Sequence, residues 1–320
     1  MKELTIKQND AGQRLDRFVS KAVPMLPSSL AQKYIRLKRI KLNGKGAKRD
    51  IKLAVGDTVQ LYINDEFFEP PTEDNAFLKL TVPDLDILYE DENLLLVNKK
   101  AGVLCHSDGA WSYNTLIAHI QAFLYASGEF RPRTENAFAP ALCNRIDRNT
   151  SGIVIAAKNA EALRILNAKI KNREVEKYYL AAVHGEVKPK SGRLEGYLFK
   201  DAKKNQVFVS DRSVVGSKTA VTDYKTLQVK DGLTLLECRL ITGRTHQIRA
   251  QLAHAGHPLL GDGKYGSERQ NRPYGEKGQA LCSYGVVFDF KSDAGALQYL
   301  KGREYKVTGA DFVEKYFEHI

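Results

Sequence analysis

The sequence predicts an α+β fold in which a mostly antiparallel, mixed sheet follows a small basic unit. In the second part of the chain, strand patterns outnumber helical patterns and do not alternate regularly with them, which argues against a doubly wound sheet. Positive charge is concentrated at one end, because residues 1–64 hold 14 of the 49 Lys and Arg residues but only 5 of the 38 Asp and Glu residues. An acidic stretch containing Pro70 and Pro71 separates the two parts.

Composition divides the 320 residues into three segments. We expect residues 1–64 to form one domain and residues 85–320 to form another. Residues 65–84 are expected to be a linker, because adjacent prolines cannot lie in a central strand. With 43% hydrophobic residues, the chain is long enough to bury a sizeable core.

Two short helices are predicted in the first domain. In RLDRFVSKAV the apolar residues recur at helical spacing on one face, and the prolines that follow would end the helix. Ser28 or Ser29 is expected to cap a second helix, LAQKYIRLKRI, whose apolar side would carry Leu30, Tyr34 and Leu37. An Asn-Gly pair and the alternating segment VQLYI then predict a hairpin turn and a strand.

The second helix is strongly basic, with Lys33, Arg36 and Arg39 on its polar side. A concentrated positive field indicates a polyanion as partner, and nucleic acid is the first candidate. This order of elements is similar to the αL RNA-binding domain shared by a small-subunit ribosomal protein and tyrosyl-tRNA synthetases. The resemblance implies that the three basic residues contact an RNA backbone. An ordinary solvated helix is the alternative.

The second domain is predicted to contain several strands and two clear helices. The strand patterns are DILYEDENLLLVNKKAG (strand, turn, strand), EKYYLAAVHG, TAVTDYKTLQV and LTLLECRLI, and the helical patterns are AEALRILNAKIKN and THQIRAQLAHAG.

Several function classes are excluded by composition. No run approaches the roughly 20 consecutive apolar residues of a membrane helix, and the polar start MKELT does not resemble a secretory signal. The 4 cysteines are far apart and form no CxxC pair, so we expect reduced thiols and a cytoplasmic protein that does not act at a membrane. His246, His254 and His257 do not have the spacing of a metal-binding motif, and no metal site is predicted.

The segment NRIDRNTSG places Asp147 between two arginines on a loop of turn-forming residues. The β-branched run after it, IVIAA, predicts a buried strand. A carboxylate on a tight loop that leads into a core strand is a candidate reactive group, although a surface ion pair would have the same sequence pattern.

Two further segments carry candidate site residues. In TGRTHQIRAQLAHAG, Thr245 is expected to cap a helix with Ile248 and Leu252 on the buried face and Arg249, a permanent cation, at its edge. In EKYYLAAVHG, Tyr179 shares one strand face with Lys177. A tyrosine beside a cleft can stack on a base, although tyrosines in strands are usually packing residues.

In this order, NRIDRNTSGIVIAAK, EKYYLAAVHG and TGRTHQIRAQLAHAGHPLLGDGKYG resemble the three signature regions of the RluA-type RNA pseudouridine synthases. LYEDENLLLVNKKAGVLCHS resembles the stretch that opens their catalytic domain. The resemblance covers about residues 85–295, and many members carry an αL-type domain in front.

The resemblance implies an isomerase that converts uridine to pseudouridine with a catalytic aspartate, here Asp147, and without a cofactor. It also implies that Tyr179 stacks on the target base and that Arg249 pairs with Asp147. Ile248 and Leu252 would pack nearby, and Arg145 would fill the gap that the displaced base leaves in the RNA.

The sequence differs from the usual family pattern at Asn144, Asn149 and Lys100.

We expect the substrate to be large-subunit ribosomal RNA and the enzyme to act as a monomer. Transfer RNA is the nearest alternative substrate. A non-catalytic RNA-binding or assembly factor is an alternative of another class. A glycosidase would need a second acid beside Asp147.

Overall fold

The computed structural model of the chain describes residues 1–24, 26, 28–63, 65–68, 77, 80, 82–107, 114–131, 137–201, 206–276 and 278–317. Pro70 and Pro71 of the expected linker lie outside the described residues, as does Pro27. The start of the linker segment is described, and Asp65–Phe68 form a 3₁₀ turn.

The N-terminal part folds around its own small sheet, in the strand order β1-β4-β2-β3. Its elements are β1 Lys2–Thr5, α1 Leu15–Ala22, α2 Ser28–Arg36, β2 Ile40–Leu42, β3 Lys45–Gly46 and β4 Thr58–Leu61. The predicted apolar face of α1 is confirmed, because Leu15, Phe18 and Val19 are fully buried. The hairpin turn is also confirmed: Asn43 and Gly44 both have positive φ and join β2 to β3.

The second helix is shorter than its sequence predicts. It ends at Arg36, and the chain turns at Lys38, which has a φ of 56°. This turn frees Ile40 to pair with Leu61 in the sheet, where Ile40 is fully buried. The prediction that Leu37 lies on an apolar helix face is therefore wrong, since it follows the last helical residue and is 55% exposed.

A second, eleven-stranded sheet dominates the remainder of the chain. The strands are β5 Ile87–Glu90, β6 Leu94–Lys99, β7 Ala141–Leu142, β8 Ser151–Ala157, β9 Val175–His184, β10 Ser191–Asp201, β11 Gln206–Ser210, β12 Lys218–Lys230, β13 Leu233–Leu240, β14 Leu281–Phe288 and β15 Glu304–Lys306. The main order is β11-β10-β12-β13-β9-β14-β8-β6-β5, with β15 on β14 and β7 on β8. Among the described strands, all pairs are antiparallel except β14 with β8. The predicted mixed, mostly antiparallel sheet is confirmed.

The centre of this sheet is covered on both faces, which the alternation of buried side chains in β8 makes clear. Ile153 and Ile155 contribute to one apolar cluster, which includes Leu166 of the helix Ala160–Lys171. Val154 and Ala156 contribute to the opposite cluster, which includes buried residues from the helices Leu116–Ala126 and Gln247–His254. The helices are α3 Leu116–Ala126, α4 Ala160–Lys171, α5 Gln247–His254, α6 Glu268–Asn271 and α7 Asp311–Tyr316, with a 3₁₀ helix at Gly295–Leu300.

The parallel pairing of β14 with β8 depends on a glycine. Gly152 pairs with Ser283 and has a φ of +104°. A Cβ atom at this position would lie 2.2 Å from the carbonyl oxygen of Ser283, which no real contact allows. Only glycine therefore lets the strand that follows the Asp147 loop pack against β14.

The N-terminal part contacts the larger one at helix α4. The Asn9 side chain accepts a hydrogen bond from the backbone N–H of Ala160, and Arg164 donates to the carbonyl of Ala11. In the described part of the chain, no helix has the length and apolar character needed to cross a membrane.

Candidate active site

Asp147 lies on the loop that joins β7 to β8. A turn closed by a hydrogen bond from Thr150 N–H to the Asp147 carbonyl leads directly into β8. Ile146 beside it is buried, whereas the Asp147 side chain keeps 26% of its surface exposed. The loop therefore presents this carboxylate from a fixed backbone.

Lys99 at the end of β6 ties this loop to the neighbouring one. Its buried ammonium donates to the backbone carbonyls of Lys100, Val103 and Arg148, at 2.8–2.9 Å. Burial lowers the pKa of Lys99 to about 8. Because Arg148 directly follows Asp147, this lysine fixes the backbone beside the carboxylate.

Helix α5 brings Arg249 to Asp147. The Nη1 atom of Arg249 donates to Oδ2 of Asp147 at 2.6 Å, across 102 positions of sequence. The Arg249 side chain is only 9% exposed, so the ion pair forms in a largely desolvated place where charges interact strongly. No hydrogen bond from a described residue reaches the other carboxylate oxygen of Asp147, Oδ1, and the residue lines a cleft.

A second, buried carboxylate holds the other side of the same guanidinium. Asp262 accepts from Nε of Arg249 at 2.7 Å and from Nη2 at 3.0 Å, and its side chain is 0% exposed. It also accepts backbone N–H bonds from Lys264 and Tyr265. Burial alone would raise the pKa of Asp262, but the contact with Arg249 and the two N–H groups lower it below its ordinary value. Asp262 thus orients Arg249 toward Asp147.

Two buried glutamines fix the position of α5. Gln247 donates to the Val221 carbonyl and to Thr222, and Gln251 donates to the carbonyls of Leu194 and Ala220. Ile248 and Leu252 are buried on the same helix, as predicted. These contacts attach α5 to β10 and β12 and leave Arg249 little freedom to move.

The predicted helix cap at Thr245 is wrong. The helix begins at Gln247, and His246 before it has a φ of 52° and makes no side-chain cap bond. This left-handed residue turns the chain so that the His246 ring lies in the site. Its Nε2 is 3.8 Å from Asp147 Oδ2, and its Nδ1 is 2.9 Å from the Tyr265 hydroxyl. Burial lowers the pKa of His246, which favours the neutral ring.

Tyr179 lies at the centre of the sheet, on β9. Its backbone pairs with Ser283 of β14, which in turn lies beside Gly152 of β8. The backbones of Tyr179 and of Gly152, where the Asp147 loop has entered β8, are therefore two strand spacings apart, about 10 Å. The tyrosine is 6% exposed, and burial raises its pKa to about 12, so its hydroxyl is neutral at physiological pH.

Asp147, Tyr179, His246 and Arg249 line one cleft of about 770 Å³, a size typical of small-molecule sites. Its lining is strongly basic. The charged lining residues are Arg145, Arg148, Arg173, Lys177, Arg239, Arg244 and Arg249, against the acids Asp147 and Glu176. Glu176 is held by Arg239 at 3.0 Å and by the Tyr178 hydroxyl. Such a cleft attracts a polyanion.

The structure brings together most of the predicted site residues. Asp147, Tyr179 and Arg249 line the cleft, as do the exposed Arg145 and the buried Ile248. Leu252 is 2% exposed and packs in the same core cluster as Tyr179 instead of lining the cleft. Lys33, Arg36 and Arg39 do not line it; they are exposed on the N-terminal part.

Sequence reasoning missed three contributors: Lys99, His246 and Asp262. The only sequence signal for Asp262 was its place in the segment LLGDGKYG, which is typical of a turn. Asp262 is thus sealed from solvent and bound to Arg249, and the other acid that lines the cleft, Glu176, is held by Arg239 and the Tyr178 hydroxyl, which weakens the case for a glycosidase. Among the described residues, no group of His, Cys, Asp and Glu is arranged to hold a metal ion.

The three differences from the usual family pattern lie outside the Asp147–Arg249 contact. The Asn144 side chain accepts a hydrogen bond from the Ile155 backbone N–H. Asn149 is exposed beside Gly278, and Lys100 forms an exposed ion pair with Asp84. None of them removes a partner of the carboxylate.

Comparison with known proteins gives a consistent result. Residues 93–254 match the family model described as RNA pseudouridylate synthase. An uncharacterized RNA pseudouridine synthase of Bacillus subtilis is 31% identical over 90% of this chain and 89% of its own length. A ribosomal large subunit pseudouridine synthase C of Vibrio vulnificus is 34% identical over 82% of this chain and 80% of its own.

A solved human structure, RNA pseudouridylate synthase domain containing 1, has the same fold, with a TM-score of 0.54 and 20% identity over 73% of this chain and 95% of that one. The region matched by the family model, residues 93–254, includes the Asp147 loop, the strand of Tyr179 and helix α5. The chain belongs to the RNA pseudouridine synthases of the RluA type, which are isomerases.

Proposed function

We propose that this enzyme isomerises uridine in large-subunit ribosomal RNA and that Asp147 is its catalytic residue. The observation that carries the proposal is the 2.6 Å contact between Asp147 and Arg249 at the floor of a basic cleft. The ribosomal substrate is supported by relatives of Vibrio vulnificus and Escherichia coli that are named ribosomal large subunit pseudouridine synthase C.

The reaction breaks the bond from ribose C1′ to uracil N1, turns the base and joins C1′ to C5. It is redox-neutral and adds no group, so it balances without a co-substrate or cofactor. It requires an ionised carboxylate at the ribose, as nucleophile or as base. Arg249 stabilises that form and holds Oδ2, which leaves Oδ1 of Asp147 for the sugar. Asp147 and Arg249 come from the same chain, so the proposed site needs no second subunit, which supports action as a monomer.

The target nucleotide has to leave the RNA stack before it can enter the cleft. Unstacking costs a few kcal/mol. Stacking on Tyr179 would return about 1–3 kcal/mol, and insertion of the exposed Arg145 into the RNA would replace part of the lost contact. Tyr179 thus holds the base, and Arg145 stabilises the opened RNA.

We expect new pseudouridines to appear only in the large-subunit RNA when purified protein acts on unmodified RNA. The measurement uses separate transcripts of large-subunit, small-subunit and transfer RNA, followed by chemical mapping of pseudouridine. Sites confined to transfer RNA would instead establish the alternative substrate. Conversion of small-subunit RNA alone would also contradict the proposal.

The N-terminal part is proposed to bind the RNA backbone through Lys33, Arg36 and Arg39, which are all exposed. Arg39 also lies over the Tyr34 ring, with its Cζ 5.1 Å from the ring centroid, so its position is partly fixed. Each phosphate contact releases counterions, which makes binding depend on salt.

Replacement of these three residues by Gln is expected to weaken RNA binding and to reduce the slope of log K against log salt by about 2–3. Binding is measured by filter retention at several salt concentrations. The matched control replaces Lys188, Lys225 and Lys301 by Gln, which removes the same charge from exposed positions elsewhere. An unchanged slope in the first variant, or an equal loss in the control, would contradict a specific role for this surface.

A further inference from the structure

Lys177 lines the cleft but has none of the roles assigned to Asp147, Arg249, Tyr179 and Arg145 in the proposed reaction. It lies on β9, two positions before Tyr179, so both side chains leave the same face of the strand. Its side chain is half-buried and lines the cleft. Its ammonium approaches the loop before α5, since a Cβ atom on Gly243 would be 3.9 Å from Nζ.

This ammonium has no partner among the described residues. By contrast, the two buried lysines have several partners: Lys99 donates to three carbonyls, and Lys169 contacts Glu174 and Ser292. Burial lowers the pKa of Lys177, and no nearby carboxylate offsets this effect. A partly buried cation without a hydrogen-bond acceptor is costly unless a ligand supplies one.

The surroundings of Lys177 decide which part of the RNA supplies that acceptor. Residues two apart on a strand face are about 7 Å from each other, so the Lys177 side chain can reach the edge of a base stacked on Tyr179. The exposed guanidinium groups that line the cleft are better placed than Lys177 to bind phosphates. They belong to Arg145, Arg173 and Arg244.

We propose that Lys177 is a catalytic residue that donates a hydrogen bond to a carbonyl oxygen of the target uracil and stabilises the negative charge formed on the base. This inference rests on the proposed function. When the N1–C1′ bond breaks, its electron pair remains on uracil and spreads onto the carbonyl oxygens, while the ribose becomes electron-poor beside Asp147. The same charge is consumed when C5 bonds to C1′. C5 then loses its proton to solvent and N1 gains one, which gives neutral pseudouridine. Lys177 keeps its own proton throughout.

The Lys177→Met variant is expected to lower the single-turnover rate by about 10²–10³-fold, as removal of one donor to a developing anion does. The affinity for a large-subunit RNA transcript and its salt dependence should stay within about 2-fold of wild type, because no phosphate contact is lost. Lys177→Arg should recover at least about 10-fold of the rate, since it restores a charged donor. The control Lys171→Met removes an exposed charge outside the cleft and should behave as wild type.

Several results would overturn the inference. They are a normal rate for Lys177→Met, an equal defect in folded Arg and Met variants, or a loss confined to affinity and salt slope, which would indicate a phosphate contact. Asp147→Asn in the same assay separates the two proposals. A normal rate for that variant refutes the catalytic aspartate, whereas an inactive Asp147→Asn with a normal Lys177→Met refutes only the role of Lys177.

Discussion

Replacement of Asp147 by Asn is expected to lower the single-turnover rate of pseudouridine formation by at least about 10³-fold. Asparagine has nearly the same size and can still accept a hydrogen bond from Arg249. It offers no charged oxygen to attack the ribose, to remove a proton from it or to stabilise positive charge on it. The reaction releases the C5 hydrogen, so tritium release from RNA labelled at uracil C5 measures the rate.

The Asp147→Asn protein should remain folded and bind RNA. Arg249 keeps its two hydrogen bonds to Asp262, so the buried guanidinium does not lose its charged partner. Asp231→Asn, in an exposed turn whose positive φ asparagine tolerates, is the matched control. Wild-type turnover by Asp147→Asn would refute the catalytic assignment and favour a scaffold or assembly role for this domain.

Replacement of Asp262 by Ala is expected to destabilise the protein by about 3–5 kcal/mol, the cost of removing one partner from a buried ion pair. The carboxylate is 0% exposed, and its loss also leaves the N–H groups of Lys264 and Tyr265 without their acceptor. Activity should fall as well, because Arg249 is then oriented by Asp147 alone. The free energy of unfolding is measured by urea titration followed by circular dichroism.

The pH dependence of Asp262 has a defined sign. Its pKa is lowered in the folded protein, so its contribution to stability is present above the ordinary value of 3.8 and is lost as the pH falls below it.

The control for Asp262→Ala is Asp211→Ala, which breaks an exposed contact with His254, 3.2 Å long, and should change stability by less than about 1 kcal/mol. A change of that size for Asp262→Ala would contradict the structural role of this residue.

Regular periodicity made the secondary structure around the site predictable. The run IVIAA became the buried strand β8, and EKYYLAAVHG became β9 almost to its ends. The two boundary errors both occur at residues with positive φ, Lys38 and His246. Neither is a glycine or an asparagine, so neither carries the usual sequence signal for a left-handed turn.

The pairing of Asp147 with Arg249 was expected from the family resemblance, since 102 positions separate the two residues and no local pattern links them. The role of Asp262 could not be predicted from the sequence, because an acid in a glycine-rich segment has the same pattern whether it is buried or lies in a surface turn. The role of Lys99 could not be predicted for a related reason: its partners are backbone carbonyls, which any sequence supplies. Contacts of this kind depend on tertiary structure alone.

A structure of the Asp147→Asn protein bound to its substrate RNA would show whether Asp147 meets the ribose, because the inactive variant should trap the nucleotide before the bond breaks. We expect an everted uridine with its base on Tyr179 and its ribose C1′ about 3–3.5 Å from the side chain at position 147. A uridine bound elsewhere, or one whose ribose faces away from the Arg249 guanidinium, would contradict this expectation.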